Sequence, residues 1–248
     1  MERRIKKKKR LELKFTLLSL GIVIISLFAL FGVSATPSGV SDLNITSNET
    51  GSNTSSGNLV NISGGYIATL NLTTTVQDPH WKAFIGWVNG AFTLDDASGS
   101  TIYDWSLTST NGEVYATRDS GSIEWASIAC ATTPQMESEN NALGHSNKDD
   151  NITATFDDTT HNAFWVAGVS IAANSCPTLN TYVDNASQDS TFEEMALNDG
   201  TSLIYATIIE NQADGFDENN YDFQMIVPEN ATDGFNGATA YYLYVEIS

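Results

Sequence analysis

The sequence predicts an all-β protein: a single β-sandwich or jelly-roll-like domain of about ten antiparallel strands with one short helix, preceded by an N-terminal hydrophobic helix and a flexible stalk. From Tyr66 onward, short runs of β-branched and aromatic residues alternate with polar ones and are separated by Gly-, Asn-, Asp- and Ser-rich turns. Four of the five tryptophans fall between Trp81 and Trp125, in a stretch that reads as an aromatic β-meander. Only one later stretch carries helix start and stop signals together.

Residues 1–35 set the address. The opening MERRIKKKKRLELK carries eight Lys or Arg against Glu2 and Glu12, and an uncharged apolar run follows from Phe15 to Val33. Val33 and Ala35 suit a signal-peptide cut before Thr36, and the run is equally long enough to remain as a membrane anchor through residues 15–33. On either reading the basic flank stays in the cytoplasm and the rest is exported to the outer face of the membrane or envelope. Residues 36–64 are dominated by Ser, Thr, Asn and Gly, with too little apolar surface to order themselves, and read as a stalk. Four Asn-x-Ser/Thr sequons crowd that stalk, at Asn44, Asn48, Asn53 and Asn61; others start at Asn71, Asn151, Asn185 and Asn230.

Residues 65–248 form the predicted domain. Tyr66 to Val76 alternates as a half-buried strand. Residues 81–94 are apolar on both parities, with Gly86 and Gly90 leaving room for neighbouring rings, and read as one central strand. Asp95 to Ser100 makes a turn, after which Thr101, Tyr103, Trp105 and Leu107 alternate with the aromatics directed inward. Asn111-Gly112 is the strongest short hairpin signal, with Glu113 to Thr117 returning from it. A short helix is expected from Thr133, as cap, with Pro134 at its first position and Gly144 ending it.

The β-pattern then resumes at Ile152 to Phe156, Ala163 to Ile171 and Thr178 to Val183. It continues at Phe192 to Leu197, Ser202 to Ile209, Tyr221 to Val227 and Thr239 to Ile247. The last strand puts Tyr241, Leu243, Val245 and Ile247 on one face and Tyr242, Tyr244 and Glu246 on the other. Val114-Tyr-Ala-Thr and Ile204-Tyr-Ala-Thr form a faint internal echo.

Charge and cysteines bound the chemistry. Residues 1–35 hold eight basic and two acidic residues of the chain's 11 and 30, which leaves three basic and 28 acidic residues in the exported part. Such a field repels nucleic acid and anionic lipid, so nucleic acid is not an expected partner. Cys130 and Cys176, the only cysteines, lie in an oxidising compartment and are expected to form a disulfide.

Common catalytic signatures are absent from the sequence: no Gly-x-Ser-x-Gly elbow, phosphate-binding glycine loop, His-Glu-x-x-His or Cys-x-x-Cys occurs. His80, His145 and His161 lack metal-ligand spacing and are expected on the surface or in turns. The acidic run offers Asp214, Asp217, Glu218, Asn219 and Asp222 as candidate calcium ligands, with Gly215 permitting a bend, though without EF-hand spacing. Glu113, Glu124, Glu193, Glu194 and Glu210, in or beside strands, are the carboxylates from which a glycosidase pair would be drawn. Trp87, Tyr242 and Tyr244 are candidates for stacking on sugar rings.

One resemblance adds to this reading. The pattern Trp81-x-x-Phe-x-Gly86-x-Val-x-Gly90, Leu94-x-Asp96-x-x-Gly99-x-x-x-Tyr103-x-Trp105 and Gly112-Glu-Val-Tyr-Ala116 resembles a group of uncharacterised exported surface β-sandwich proteins of archaea. The resemblance implies a cell-surface address and no activity. The expected role is therefore non-enzymatic, structural or adhesive. The alternatives are a filament subunit assembled by exchange of a strand such as Tyr66 to Val76, a glycan- or calcium-binding module and, last, a glycoside hydrolase.

Overall fold

The computed structural model describes residues 35–49, 64, 65, 67, 69, 80–107, 110–187 and 191–247. The N-terminal apolar run, the sequons Asn53, Asn61 and Asn71, and most of the Tyr66–Val76 segment lie outside the described residues. Among the described residues no helix is long and apolar enough to cross a membrane. Residues 36–248 form a compact unit of their own.

Among the described residues the chain is mostly β, every strand pairing is antiparallel, and two short α-helices accompany the strands. In order the strands are β1 (Ser38–Gly39), β2 (Trp81–Gly86), β3 (Ala91–Asp95), β4 (Thr101–Ser106), β5 (Gly112–Thr117) and β6 (Ala129–Cys130). Helices α1 (Thr133–Leu143) and α2 (Ile152–Thr155) come next. They are followed by β7 (Phe164–Val166), β8 (Val169–Ile171), β9 (Thr178–Asn180), β10 (Tyr182–Val183) and β11 (Ala186–Ser187). The chain closes with β12 (Glu193–Asn198), β13 (Leu203–Ile208), β14 (Ala213–Asp214), β15 (Asn220–Tyr221), β16 (Phe223–Pro228) and β17 (Tyr242–Ile247).

A seven-stranded sheet, in the order β1-β17-β5-β13-β12-β6 with β9 also paired to β12, carries the domain. Both of its faces are covered, which is why β5, β12 and β13 are buried on both parities. On one face Val114, Ala116, Ala196, Leu203 and Tyr205 meet Met225 and Val227 of the β2–β16 ribbon, Met136 and Leu143 of α1, and Ile152 and Phe156 at α2. On the other, Tyr115, Met195, Leu197, Ile204 and Ala206 meet Phe164, Val166 and Ile171 of the β7–β8 hairpin and the half-buried Trp125. The two faces of β17 follow the predicted alternation: Leu243 and Val245 join the first core and Tyr244 the second.

Several local expectations are corrected. The aromatic stretch is not a meander: β2 leaves to pair with β16, β3 and β4 pair, among the described residues, only with each other, and β5 inserts between β17 and β13. Tyr103 and Trp105 of β4 are half exposed, not directed inward. The expected strand over residues 81–94 breaks after Gly86, whose added Cβ would touch the Phe223 ring at 3.4 Å. Thr132, one residue before the expected position, caps α1, because the Gln135 side chain accepts its backbone N–H at 2.8 Å. Ile152 to Phe156 is helical rather than extended. Asn151 caps it by accepting Ala154 N–H at 3.0 Å, and Asn140 Oδ1 takes Ile152 N–H at 2.8 Å. Ala163 to Ile171 folds back on itself at Ala167-Gly168, both with positive φ. The segment read as stalk is held at its start, where Ser38 and Gly39 pair with Val245 and Tyr244.

Gly112 is not the corner of a hairpin with the preceding aromatic strand. Its φ is +131°, and a Cβ there would collide with the backbone carbonyl of Glu246 on the paired strand β17. Glycine is needed for close backbone approach. Gly112→Ala is therefore expected to destabilise the domain by about 3 kcal/mol, seen as a lower urea midpoint. An unchanged midpoint would refute the close-approach account. The sequence echo also acquires a place: Tyr115 pairs with Ala206 and Ala116 with Tyr205, so the two copies lie side by side and antiparallel.

Candidate functional site

Strand parity gathers glutamates at one end of the seven-stranded sheet, on its β7–β8 side. Glu246 of β17 stands directly opposite Glu113 of β5, and Glu113 opposite Ile208 of β13. Extending the β12–β13 register by one residue places Glu193 next in the row, and Glu193 is in turn opposite Asn180 of β9. All three glutamates are buried.

One segment caps all three. Glu193 Oε1 accepts the backbone N–H and the side-chain amide of Asn162, both at 3.1 Å. Glu113 accepts a backbone bond from Trp165. Glu246 accepts Ala167 N–H at 3.1 and 3.0 Å through its two oxygens, and the Tyr115 hydroxyl donates to its Oε2 at 3.1 Å. Residues 162, 165 and 167 thus lay β7 along the glutamate row, and the positive-φ turn at Ala167 presents its N–H to Glu246.

Burial, followed by the charge of Glu246, pushes the Glu113 carboxyl up to about 8. Glu246 is raised by burial and held back by the Ala167 N–H and the Tyr115 hydroxyl. Glu193 is raised by burial, and Glu210 by burial and then the Glu193 charge. On the opposite sheet face Glu194, wholly enclosed, is pushed well up by burial although it accepts Ile226 N–H at 2.7 Å. Two carboxylates this close in a low-dielectric site cannot both ionise at low cost, so the Glu113–Glu246 pair retains a proton near neutrality. Chemically the row is a proton-holding clamp on the β7–β8 hairpin.

Cys130 and Cys176 form a disulfide, as expected. Its neighbourhood is tied to the same segment: His161 Nε2 accepts the backbone N–H of Ser175 and of Cys176, both at 3.0 Å, while its Nδ1 donates to the Asn162 carbonyl at 2.7 Å. This corrects the expectation for the histidines, since His161 and His145 are both buried. His145 Nε2 lies 2.6 Å from the Glu229 carbonyl, and its ring stands edge-on to those of Trp81 and His80. The nearby groove, about 300 Å³, is lined by His80, Lys148, Glu229, Asn230 and Asp233 among others.

The candidate calcium ligands do not converge. Asp222 is buried and turns inward, accepting Val88 N–H at 2.9 Å and the Gln212 backbone and side-chain amides at 3.0 and 2.9 Å. Asp217 is occupied by Asn219 and the Tyr221 hydroxyl, which hold its carboxyl below the usual range, and Asp214 accepts the Asn220 amide. Glu218 sits at positive φ in the same turn. Among the described residues no three His, Cys, Asp or Glu side chains are grouped to hold a metal ion.

Nor do the three aromatic candidates share a surface. Trp87 is half exposed, tilted against Tyr221 at 5.3 Å, with its indole N–H donating to the Asn220 carbonyl. Tyr242 is exposed on β17, and Tyr244 packs against Trp125. Of the carboxylates named for a glycosidase, Glu193 and Glu194 face opposite sides of the sheet and Glu124 is exposed. Glu113 does gain a carboxylate neighbour, but it is Glu246. Sequence reasoning missed Glu246: the alternation of the last strand put it on the face of Tyr244 but gave no sign that Glu113 would be its neighbour.

The chain matches no protein-family model, no curated protein and no solved structure.

Proposed function

We propose that this is an exported, glycosylated cell-surface protein with a non-enzymatic structural or adhesive role, held at the membrane through residues 15–33. In this reading residues 65–248 are a β-sandwich, with the β2–β16 ribbon serving as a second sheet over the seven-stranded one. The carrying observation is how the enclosed carboxylates are used: Glu113, Glu193 and Glu246 are covered by one hairpin and bonded to its backbone. A strongly acidic exported part and the basic-then-apolar N-terminus support the address.

The sequons divide by geometry. Asn44 and Asn48 are exposed, and Asn185 is exposed at the tight β10–β11 turn with φ of 59°. Asn151 is engaged as a helix cap, and the Asn230 side-chain oxygen accepts Thr232 N–H at 2.9 Å. The proposal is tested by negative-stain microscopy and peptide mass analysis of native protein from its own envelope. Envelope-bound protein with an intact apolar N-terminus, glycans at Asn44, Asn48 or Asn185, and bare Asn151 and Asn230 is the expected result. Unglycosylated protein released into the medium, or turnover of glycan or peptide substrates, would overturn it.

A glycan-binding role is the second reading, favoured by the half-exposed Trp87 tilted against Tyr221, whose paired strand residue Ala213 lines an open groove with Asp184, Gln212 and Asp214.

A further inference from the structure

Residues 161–176 form a loop with a fixed neck. The Asn174 N–H donates to the His161 carbonyl at 3.1 Å, and the His161 N–H donates to Asn174 Oδ1 at 3.3 Å. The His161 ring takes the N–H groups of Ser175 and Cys176, and Cys176 is bonded in turn to Cys130 of β6. Beyond the neck, β7 and β8 pair with each other and, among the described residues, with no other strand. The lobe therefore lies on the seven-stranded sheet without a ladder to it. Phe164, Val166 and Ile171 pack down onto Tyr115, Met195, Leu197 and Ile204, while Trp165 between them points away, 60% exposed. Among the described residues, hydrogen bonds from the lobe to the sheet end on carboxyls: Asn162 on Glu193, Trp165 on Glu113 and Ala167 on Glu246. A unit with a fixed base and no ladder can open while the rest of the domain stays folded.

The carboxyl acceptors also supply a release. While the lobe is closed, Glu113 and Glu246 stand opposite each other out of water, where both cannot be charged at low cost; once it lifts, water solvates both. Other groups face the row. The Tyr115 hydroxyl from β5 bonds Glu246, Glu193 adds a carboxyl from β12, Glu210 follows β13, and the His161 ring stands by Glu193 at the neck. Glu193 Oε2 is buried with no hydrogen-bond partner, and lifting the lobe relieves that too. We infer that residues 162–173 are a base-released flap: when the proton held by the Glu113–Glu246 pair passes to solvent, the β7–β8 hairpin swings off the sheet about the His161–Cys176 neck, ahead of global unfolding. The motion uncovers Tyr115, Met195, Leu197 and Ile204. With the flap closed, burial and then the Glu246 charge hold the Glu113 proton up to about 8; with it open, the carboxyl titrates near 4.5. The opening constant therefore climbs by roughly 50-fold between pH 6 and pH 8. The inference goes beyond the surface role and does not depend on it.

The test is native-state hydrogen exchange of the full chain in detergent, read by mass spectrometry on peptides covering residues 162–172 and 193–208, in low urea and corrected for intrinsic exchange rates. The flap amides are expected to open more readily than those of β12 and β13 and with a much smaller urea dependence. Their opening constant should show the rise of roughly 50-fold between pH 6 and pH 8. Glu113→Gln and, separately, Glu246→Gln keep an acceptor for the Trp165 and Ala167 N–H groups but leave one titrating carboxyl in the pair. Each should reduce that rise by about 5-fold, and either variant alone decides the point. Flap amides that exchange only together with β12 and β13, at the same urea slope, overturn the inference. So does an opening constant that is flat from pH 6 to pH 8, or a rise that the variants retain in full.

Discussion

Raising the pH from about 5 to about 9 is expected to lower the thermal midpoint by about 10 °C or more, and Glu113→Gln is expected to remove the share of that slope that Glu113 contributes. In the unfolded chain Glu113 releases its proton near 4.5, whereas in the folded protein it holds it to about 8. A raised folded value means that the associated stability is fully present below about 4.5 and is lost as pH rises through about 8. At about 1.4 kcal/mol for each pH unit in that window, the loss from this group is of the order of 4 kcal/mol. Glu246, Glu193, Glu194 and Glu210 are raised as well and act in the same direction.

The groups around the pair set the size of the effect. Tyr115 comes from β5, the Trp165 and Ala167 N–H groups from the hairpin, Ile208 from β13 and Glu193 from β12. A glutamine at 113 still accepts the Trp165 bond and can donate to Glu246, which is then free to ionise. The variant should match the wild type near pH 5 and exceed it near pH 8. Asp96, Asp119, Asp158, Asp199 and Asp217 have lowered values, so their contribution exists above about 3.8 and disappears in stronger acid. The stability optimum is therefore expected at about pH 4 to 5. A wild-type midpoint that is flat or rises across the alkaline limb would overturn this account of the glutamate row.

Loss of the disulfide should be of similar size. The bond links positions 46 residues apart, and in the chain-entropy model closing such a loop contributes about 4 kcal/mol. Cys130→Ser/Cys176→Ser is expected to lower the thermal midpoint by about 10 °C and to raise the urea m-value, because the open unfolded chain exposes more surface. Part of the cost is native: Cys176 is buried in the second core, and its N–H and that of Ser175 are fixed by His161. A double variant with the wild-type midpoint would show that His161 and the core hold this segment without the bond.

What the sequence disclosed was mostly local. Alternation along Tyr241 to Ile247 assigned both faces of β17, Thr-Pro near residue 133 and Gly144 bracketed α1, and two cysteines implied their bond. What it concealed depended on partners far along the chain. Gly112 looked like a turn residue because its reason for being glycine, the carbonyl of Glu246, lies more than a hundred residues away. Ile152 to Phe156 has strand-like composition, and only the Asn151 cap and the Asn140 side chain commit it to a helix. The glutamate row was invisible for the same reason. Glu113 and Glu246 are unremarkable until strand order makes them neighbours, and the N–H groups that cap them belong to a segment that reads as one straight strand.

The two-residue pairing of β1 with β17 bears on how the domain would carry a mechanical load. A pull transmitted through the residues before Thr36 reaches the sheet first at Ser38 and Gly39, on its edge, where it peels one short ladder from Val245 and Tyr244. Peeling breaks those bonds one at a time, so the edge yields at low force and, on the proposed surface role, would lengthen the tether. The glutamate clamp acts on β17, β5 and β12, and the disulfide fastens β6 at the opposite edge of the sheet, so neither resists that first yield. Tension would thus be absorbed by a sacrificial strand that can re-pair when the load drops, and the folded body would be spared.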